Sequence, residues 1–144
     1  MVELNVLTSK ISYIEKNLAH LESLRAMPEK DLLENPFLTG AAKHYLQTCI
    51  EAMLDMANHI IARERYRAPD NYVDAFRVLG EQGILPANDL PAFYQMARFR
   101  NRVVHLYHEV DDKEIYKILQ TGLGDFKAFI GAIVLRFFSQ PAPD

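Results

Sequence analysis

From Pro36 to the Arg63 region nothing in the chain stops a helix once Gly40 is passed, and Leu38, Ala42, Tyr45, Cys49, Met53, Met56 and Ile60 make it apolar over a wide arc. A helix apolar over so much of its girth belongs at the centre of a bundle, with other elements laid around it. Asn35-Pro36 supplies its start, because asparagine caps and proline at the first helical position gives up no needed N–H. Along the arc runs a thin polar line at intervals of four, Lys43, Gln47, Glu51, Asp55 and His59. It is either the solvent face or one wall of a polar cleft.

The remaining patterns are helical too. Leu4, Leu7, Ile11, Ile14, Leu18 and Leu21 keep a narrow stripe at steps of three and four, the mark of a bundle seam. A turn region, "AMPEKDLLENP", separates this first helix from the second. A short third helix, capped by Asp70 or Asn71, carries Tyr72, Phe76 and Leu79 on one side. A fourth begins near Asn88, takes Pro91 in its first turn and runs through "RNRVVHLY". Asp111 with Glu114 resembles a capping box for the fifth, which Gly122 and Gly124 are placed to bend. No alternating strand pattern and no internal repeat interrupts this series, so the expected fold is all-α, a bundle of about five helices.

With 144 residues, 49% of them hydrophobic, the chain is long enough for one core and too short for two, giving one domain over 1–138 and a flexible C-terminal tail over 139–144. A formal charge of -3 excludes a uniformly basic nucleic-acid-coating surface and leaves room for a local basic cleft. Cys49 is the single cysteine, so no internal disulfide forms and a reducing compartment is indicated. "MVELNVLTSK" has no basic start and apolar block of a secretory signal, and the longest apolar run, Ala128 to Val134, is too short to span a bilayer. These features give the expectation of a soluble cytoplasmic protein with no membrane partner.

The fourth helix poses the chemical question. Phe93, Met96, Arg100, Val103 and Tyr107 share its apolar stripe, while Tyr94, Arg98, Asn101, His105 and His108 form a polar one. Arginine in an apolar slot has to snorkel, pair with a carboxylate such as Glu51 or Asp55, or face a ligand. Arg100, Asn101, His105 and Tyr107 together supply a fixed cation, an amide, a ring that titrates near neutrality and a phenol, which suits phosphodiester chemistry. Metal-free RNA cleavage needs a proton taken from the 2′-hydroxyl, charge on the phosphorus oxygens stabilised and the leaving oxygen protonated. On a regular helix, however, five positions turn the chain by about 500°, which leaves Arg100 and His105 about 140° apart. Either the helix distorts there or two copies complete one cleft across a two-fold axis.

"RNRVVHLY" resembles the Arg-x-x-x-x-His-x-Tyr signature of the HepT-like toxins of the HEPN superfamily, and "YLQTCIEAMLDMANHIIA", "YVDAFRVLGEQGIL" and "MARFRNRVVHLY" follow in the family's order. The resemblance covers about Ala42 to Phe129. It implies a HEPN-like helical bundle forming a two-fold homodimer, with paired motifs lining a cleft that cleaves RNA without metal or other cofactor. Arg100 and His105 would take the catalytic places, with Asn101 the polar neighbour. The implied partners are an RNA substrate and a nucleotidyltransferase antitoxin of the MNT type, often called MntA. Tyr107 would be the tyrosine such a partner adenylylates, which blocks the cleft with bulk and negative charge.

Several features admit a second reading. Arg98 and Arg102 are candidates for RNA contact, and Arg63, Arg65 and Arg67 form another basic group that is either a steering patch or ordinary helix-end charge. Glu51 and Asp55 are candidates for holding Arg100 in place. Asp55 and His59 stand four apart, but no dense Cys/His cluster or His-Glu-x-x-His motif points to metal. The chain lacks a Gly-Ser pair and an Asp-x-Asp, so it cannot be its own AMP transferase. The alternative function is a non-catalytic nucleotide- or substrate-binding subunit of a minimal nucleotidyltransferase.

Overall fold

The computed structural model describes residues 1–139, and its regular structure among them is entirely helical. Seven α-helices run in the order α1 (Leu4–Arg25), α2 (Glu29–Leu33), α3 (Pro36–Arg63), α4 (Tyr72–Glu81), α5 (Leu90–His105), α6 (Asp112–Thr121) and α7 (Gly124–Phe137). Short 3-10 turns at Ala87–Asp89 and Tyr107–Glu109 flank α5. The tail expected over 139–144 falls, from residue 140 on, outside the described residues.

The long second helix of the sequence reading is α3, capped by the Asn35 side chain, which accepts from the Phe37 N–H at 3.0 Å. It packs against α1, α2, α4, α5 and α6, and Ala42, Cys49, Met53, Met56, Ala57 and Ile60 are sealed from solvent. Burial pushes the Cys49 thiol up to about 12, so it stays protonated and acts as a small apolar group whose S–H points to the Ile14 carbonyl at 3.9 Å. The α1 seam is buried from Leu7 to Leu24; Leu4, at its first turn, remains 44% exposed.

Two elements depart from five helices. The first turn region contains α2, which seats Leu32 fully in the core behind Pro28, a residue that fixes the entry to a helix. The fifth helix is two, α6 and α7, meeting at 49° around Gly122. A β-carbon on Gly122 would lie 3.0 Å from the Ile118 carbonyl oxygen, so the chain turns there without a side chain in the way. Asp111 does cap α6, accepting from Lys113 N–H at 2.9 Å, but Glu114 does not close a capping box because Arg102 holds its carboxylate.

The far side of the bundle is fixed by three aromatic rings. Phe76 of α4, Phe93 of α5 and Phe129 of α7 are fully buried, with centroids 5.5 to 6.0 Å apart in edge-on and tilted contacts. Where α4 meets α5, Gly80 lies under Leu90: a β-carbon there would sit 2.6 Å from a Leu90 methyl, and the leucine side chain would have to shift. Beside them the buried Asp74 carboxylate accepts from Arg67, from Arg77 and from the Asp70 N–H, all between 2.8 and 2.9 Å. These donors, Arg67 foremost, hold its carboxyl well below the usual carboxylate range. Asn71 caps α4, accepting from the Asp74 N–H at 2.8 Å. Among the described residues no single helix is long and apolar enough to cross a membrane.

Phe129→Ala should cost about 3–5 kcal/mol in chemical denaturation, since it leaves a hole shared by three helices; a loss below about 1 kcal/mol would mean that the rings do not tie those helices together. A depressed folded-state pKa at Asp74 contributes stability that is present above the ordinary carboxylate range and lost as pH falls through and below it. The melting temperature of the wild-type chain should therefore fall more steeply below about pH 4 than that of Asp74→Asn, which starts lower and changes less.

Candidate functional site

Five residues of α5 face the core, Phe93, Met96, Ala97, Phe99 and Val103, and Arg100 stands among them with its side chain only 13% exposed. Three neighbours answer its charge. Nη2 donates to Glu51 Oε2 on α3 at 3.3 Å, Nη1 donates to Asn101 Oδ1 at 3.3 Å, and the guanidinium lies over the Tyr72 ring of α4 at 4.8 Å. The Nε atom is buried and has no hydrogen-bond partner among the described residues. Glu51 is steadied in turn by Gln47, whose amide donates to Oε1 at 2.8 Å.

Between these groups lies a polar cavity of about 100 Å³, lined by Glu51, Leu54, Asp55, Asn58, Tyr72 and Arg100. The polar line on α3 is thus a cleft wall over Glu51 and Asp55; Gln47 supports Glu51 from the same helix, while Lys43 and His59 reach other elements. Asp55 shares the cavity without bonding Arg100; it accepts from Lys10 of α1 at 2.9 Å. His59 accepts from the Glu3 N–H at 3.1 Å, so Asp55 and His59 have separate partners. Among the described residues no three His, Cys, Asp or Glu side chains converge as metal ligands.

The helix that carries Arg100 stops at His105. Leu106 adopts φ −133° and ψ 45°, its N–H bonds the Arg102 carbonyl at 2.7 Å, and the chain tightens into the turn Tyr107–Glu109. Tyr107 is consequently not in the buried stripe of α5, where continued helical spacing would have put it; it is 50% exposed. Its ring turns toward α3, with Lys43 Nζ 4.5 Å from the centroid. His105 and His108 are exposed, and the His105 ring makes no hydrogen bond among the described residues. Exposed Val104 and Leu106 flank His105.

The basic residues divide. Arg102 grips Glu114 of α6 through two hydrogen bonds of 2.6 and 2.9 Å, which raise its pKa further and commit its guanidinium to joining α5 to α6. Arg98 is exposed and unpaired among the described residues. In the other group Arg63 pairs with Glu3 and Arg67 with Asp74 and Glu81, while exposed Arg65 has no ion-pair partner among the described residues. Sequence reasoning overlooked Tyr72, read as core, and Glu114, read as a cap. Only partners distant in the chain give those two their places.

A model of the HepT-like family, described as ribonuclease HepT-like, matches residues 14–133. The chain belongs to the HepT-like family. Over 88 residues it is 32% identical to an mRNA nuclease HepT from Shewanella oneidensis, a stretch covering 61% of this chain and 66% of that protein. A tRNA nuclease HepT from Aphanizomenon flos-aquae is 21% identical over 132 residues, covering 92% of this chain and 90% of that one. A tri-AMPylated HEPN toxin of Shewanella oneidensis, in complex with an MNT antitoxin, superposes with a TM-score of 0.84 at 25% identity, covering 90% of this chain and 97% of that one. The helical bundle is therefore a HEPN toxin fold, and "RNRVVHLY" lies inside the matched span.

Because Glu51 is Arg100's carboxylate partner, Glu51→Ala should destabilise the chain by about 1–2 kcal/mol in urea denaturation, the cost of stripping a partly buried cation of its acceptor. Asp55→Ala, which breaks an exposed pair, should cost under about 1 kcal/mol. Equal losses would show that Arg100 does not depend on Glu51.

Proposed function

We propose that this HepT-like chain is the toxin of a toxin–antitoxin pair, a metal-independent endoribonuclease acting as a two-fold homodimer and neutralised by an MNT-type nucleotidyltransferase that adenylylates Tyr107. The observation that carries this reading is the contrast between the two charged members of the motif. Arg100 is fixed in a cleft by Glu51, Asn101 and Tyr72, whereas His105 ends its helix in solvent with an uncommitted ring. A fixed cation and an accessible titratable ring are what phosphodiester cleavage asks of a site.

One chain presents both groups on separate sides of a helix, and a second copy gives the remedy. Exposed Val104 and Leu106 provide apolar surface beside His105 for that copy to cover. In the joint cleft, arginine holds the phosphate oxygens while one histidine takes the 2′-hydroxyl proton. The 2′ oxygen then bonds to phosphorus, the bond to the 5′ oxygen breaks, and the other histidine protonates that leaving oxygen. Asn101 holds Arg100 from its own helix, Glu51 does so from α3, and Asp55 shapes the cavity beside them. Arg98 is the residue left to meet RNA phosphates; Arg102 serves the fold first. The names of the two curated relatives support RNA as substrate, and the AMPylated neighbour supports nucleotidyl transfer as the means of control.

The deciding experiment treats total RNA with unmodified protein, magnesium chelated, beside His105→Ala. Wild type should cleave, and the variant should lose about 10²–10⁴-fold in rate, the usual worth of general acid–base catalysis, with an unchanged melting temperature. Cleavage by neither protein would instead favour the non-catalytic subunit, for which nucleotide affinity lost on Arg100→Ala is the signature.

A further inference from the structure

The turn that carries Tyr107 rests on two residues of α3 with no part in the cleavage scheme. Lys43 is 8% exposed, yet its ammonium makes no hydrogen bond to another side chain among the described residues. Its nearest carboxylate, Asp112 of α6, is 3.4 Å away, longer than the about 2.7–2.9 Å of a strong charge-assisted bond. The stem of Lys43 is buried while its ammonium, so loosely held, keeps donors to spare. One turn earlier, Gly40 leaves bare backbone under the Tyr107 hydroxyl: a β-carbon added there would lie 3.9 Å from Oη, and nothing else would come within 4 Å of it. The hydroxyl itself has no hydrogen-bond partner among the described residues, and half of Tyr107 is open to solvent.

We propose that Gly40 and Lys43 form the seat of the nucleotidyl group on Tyr107, Gly40 by leaving room for the phosphate and Lys43 by supplying its counter-charge. This rests on the reading of Tyr107 as the modified residue. In the transfer, Tyr107 Oη bonds to the α-phosphorus of a nucleoside triphosphate held by the transferase. The bond from that phosphorus to pyrophosphate breaks, and the phenolic proton passes to solvent or to a base of the transferase. The phosphodiester left on Oη carries one negative charge. Lys43, already over the ring, exchanges its long contact with Asp112 for the phosphate, and Asp112, whose side chain is 42% exposed, is released to water. Lys43 is thus a positioning residue, holding the acceptor ring before transfer and the charge after it.

The test incubates this chain with the MNT antitoxin of Shewanella oneidensis and magnesium-ATP, and follows AMP addition to the Tyr107 peptide by mass. Wild type should gain AMP. Lys43→Met should gain it about tenfold or more slowly, the effect of one charge-assisted hydrogen bond. Lys43→Arg should restore most of the rate, and Asp112→Asn should react as fast as wild type or faster. Gly40→Leu, which fills the space under Oη, should block addition, while Gly40→Ala should retain most of it. If Lys43→Met or Gly40→Leu is modified at the wild-type rate, the seat is wrong. If Asp112→Asn loses as much as Lys43→Met, the ion pair merely shapes the turn, which also overturns the inference. A wild-type chain that takes no AMP, or takes it away from Tyr107, removes the underlying reading of Tyr107 rather than the role of its neighbours.

Discussion

A central helix that is apolar nearly all round can still carry charge, provided that each charged position is met by a different neighbour. On α3 the polar residues four apart do this in turn: Lys43 faces Asp112 of α6, Glu51 meets Arg100 of α5, Asp55 binds Lys10 of α1, and His59 takes the Glu3 N–H ahead of α1. Apolar burial supplies the larger share of the stability, but it is indifferent to small slides of one helix along another. The polar row is directional and sets the register of the surrounding helices on the central one. Because Arg100 is one of its partners, the row that aligns the bundle also aligns the cleft.

Much of this was readable from the chain. Helix class follows from the three-and-four spacing of the apolar residues, and the starts of α3, α4 and α6 follow from Asn35, Asn71 and Asp111, because both signals act over a few residues. Short α2 was missed because five residues around Leu32 are too few to show a period. The bend at Gly122 was readable as a glycine effect, though not the 49° change of direction, which depends on what α6 and α7 pack against.

The site was readable in composition and only partly in geometry. Arg100 in an apolar slot with Glu51 or Asp55 opposite left one ambiguity, and Lys10 resolves it by engaging Asp55. Arg102 read as a candidate for RNA contact because its structural partner, Glu114, lies twelve positions on and across a turn. Tyr107 was misplaced for a sharper reason. Periodicity assumes that the helix continues, and Leu106 leaves helical conformation with neither glycine nor proline to announce it.

That break has a mechanical consequence. His105 is the last residue of a sixteen-residue helix whose carbonyls and N–H groups hold one another in a ladder, while Tyr107 hangs on a turn of three. Leu106 is the joint between them: its N–H belongs to the last rung of the ladder, and its carbonyl accepts from the Glu109 N–H in the turn. On the proposed reading of Tyr107, an adduct would therefore hang from the turn and not from the helix that ends at His105.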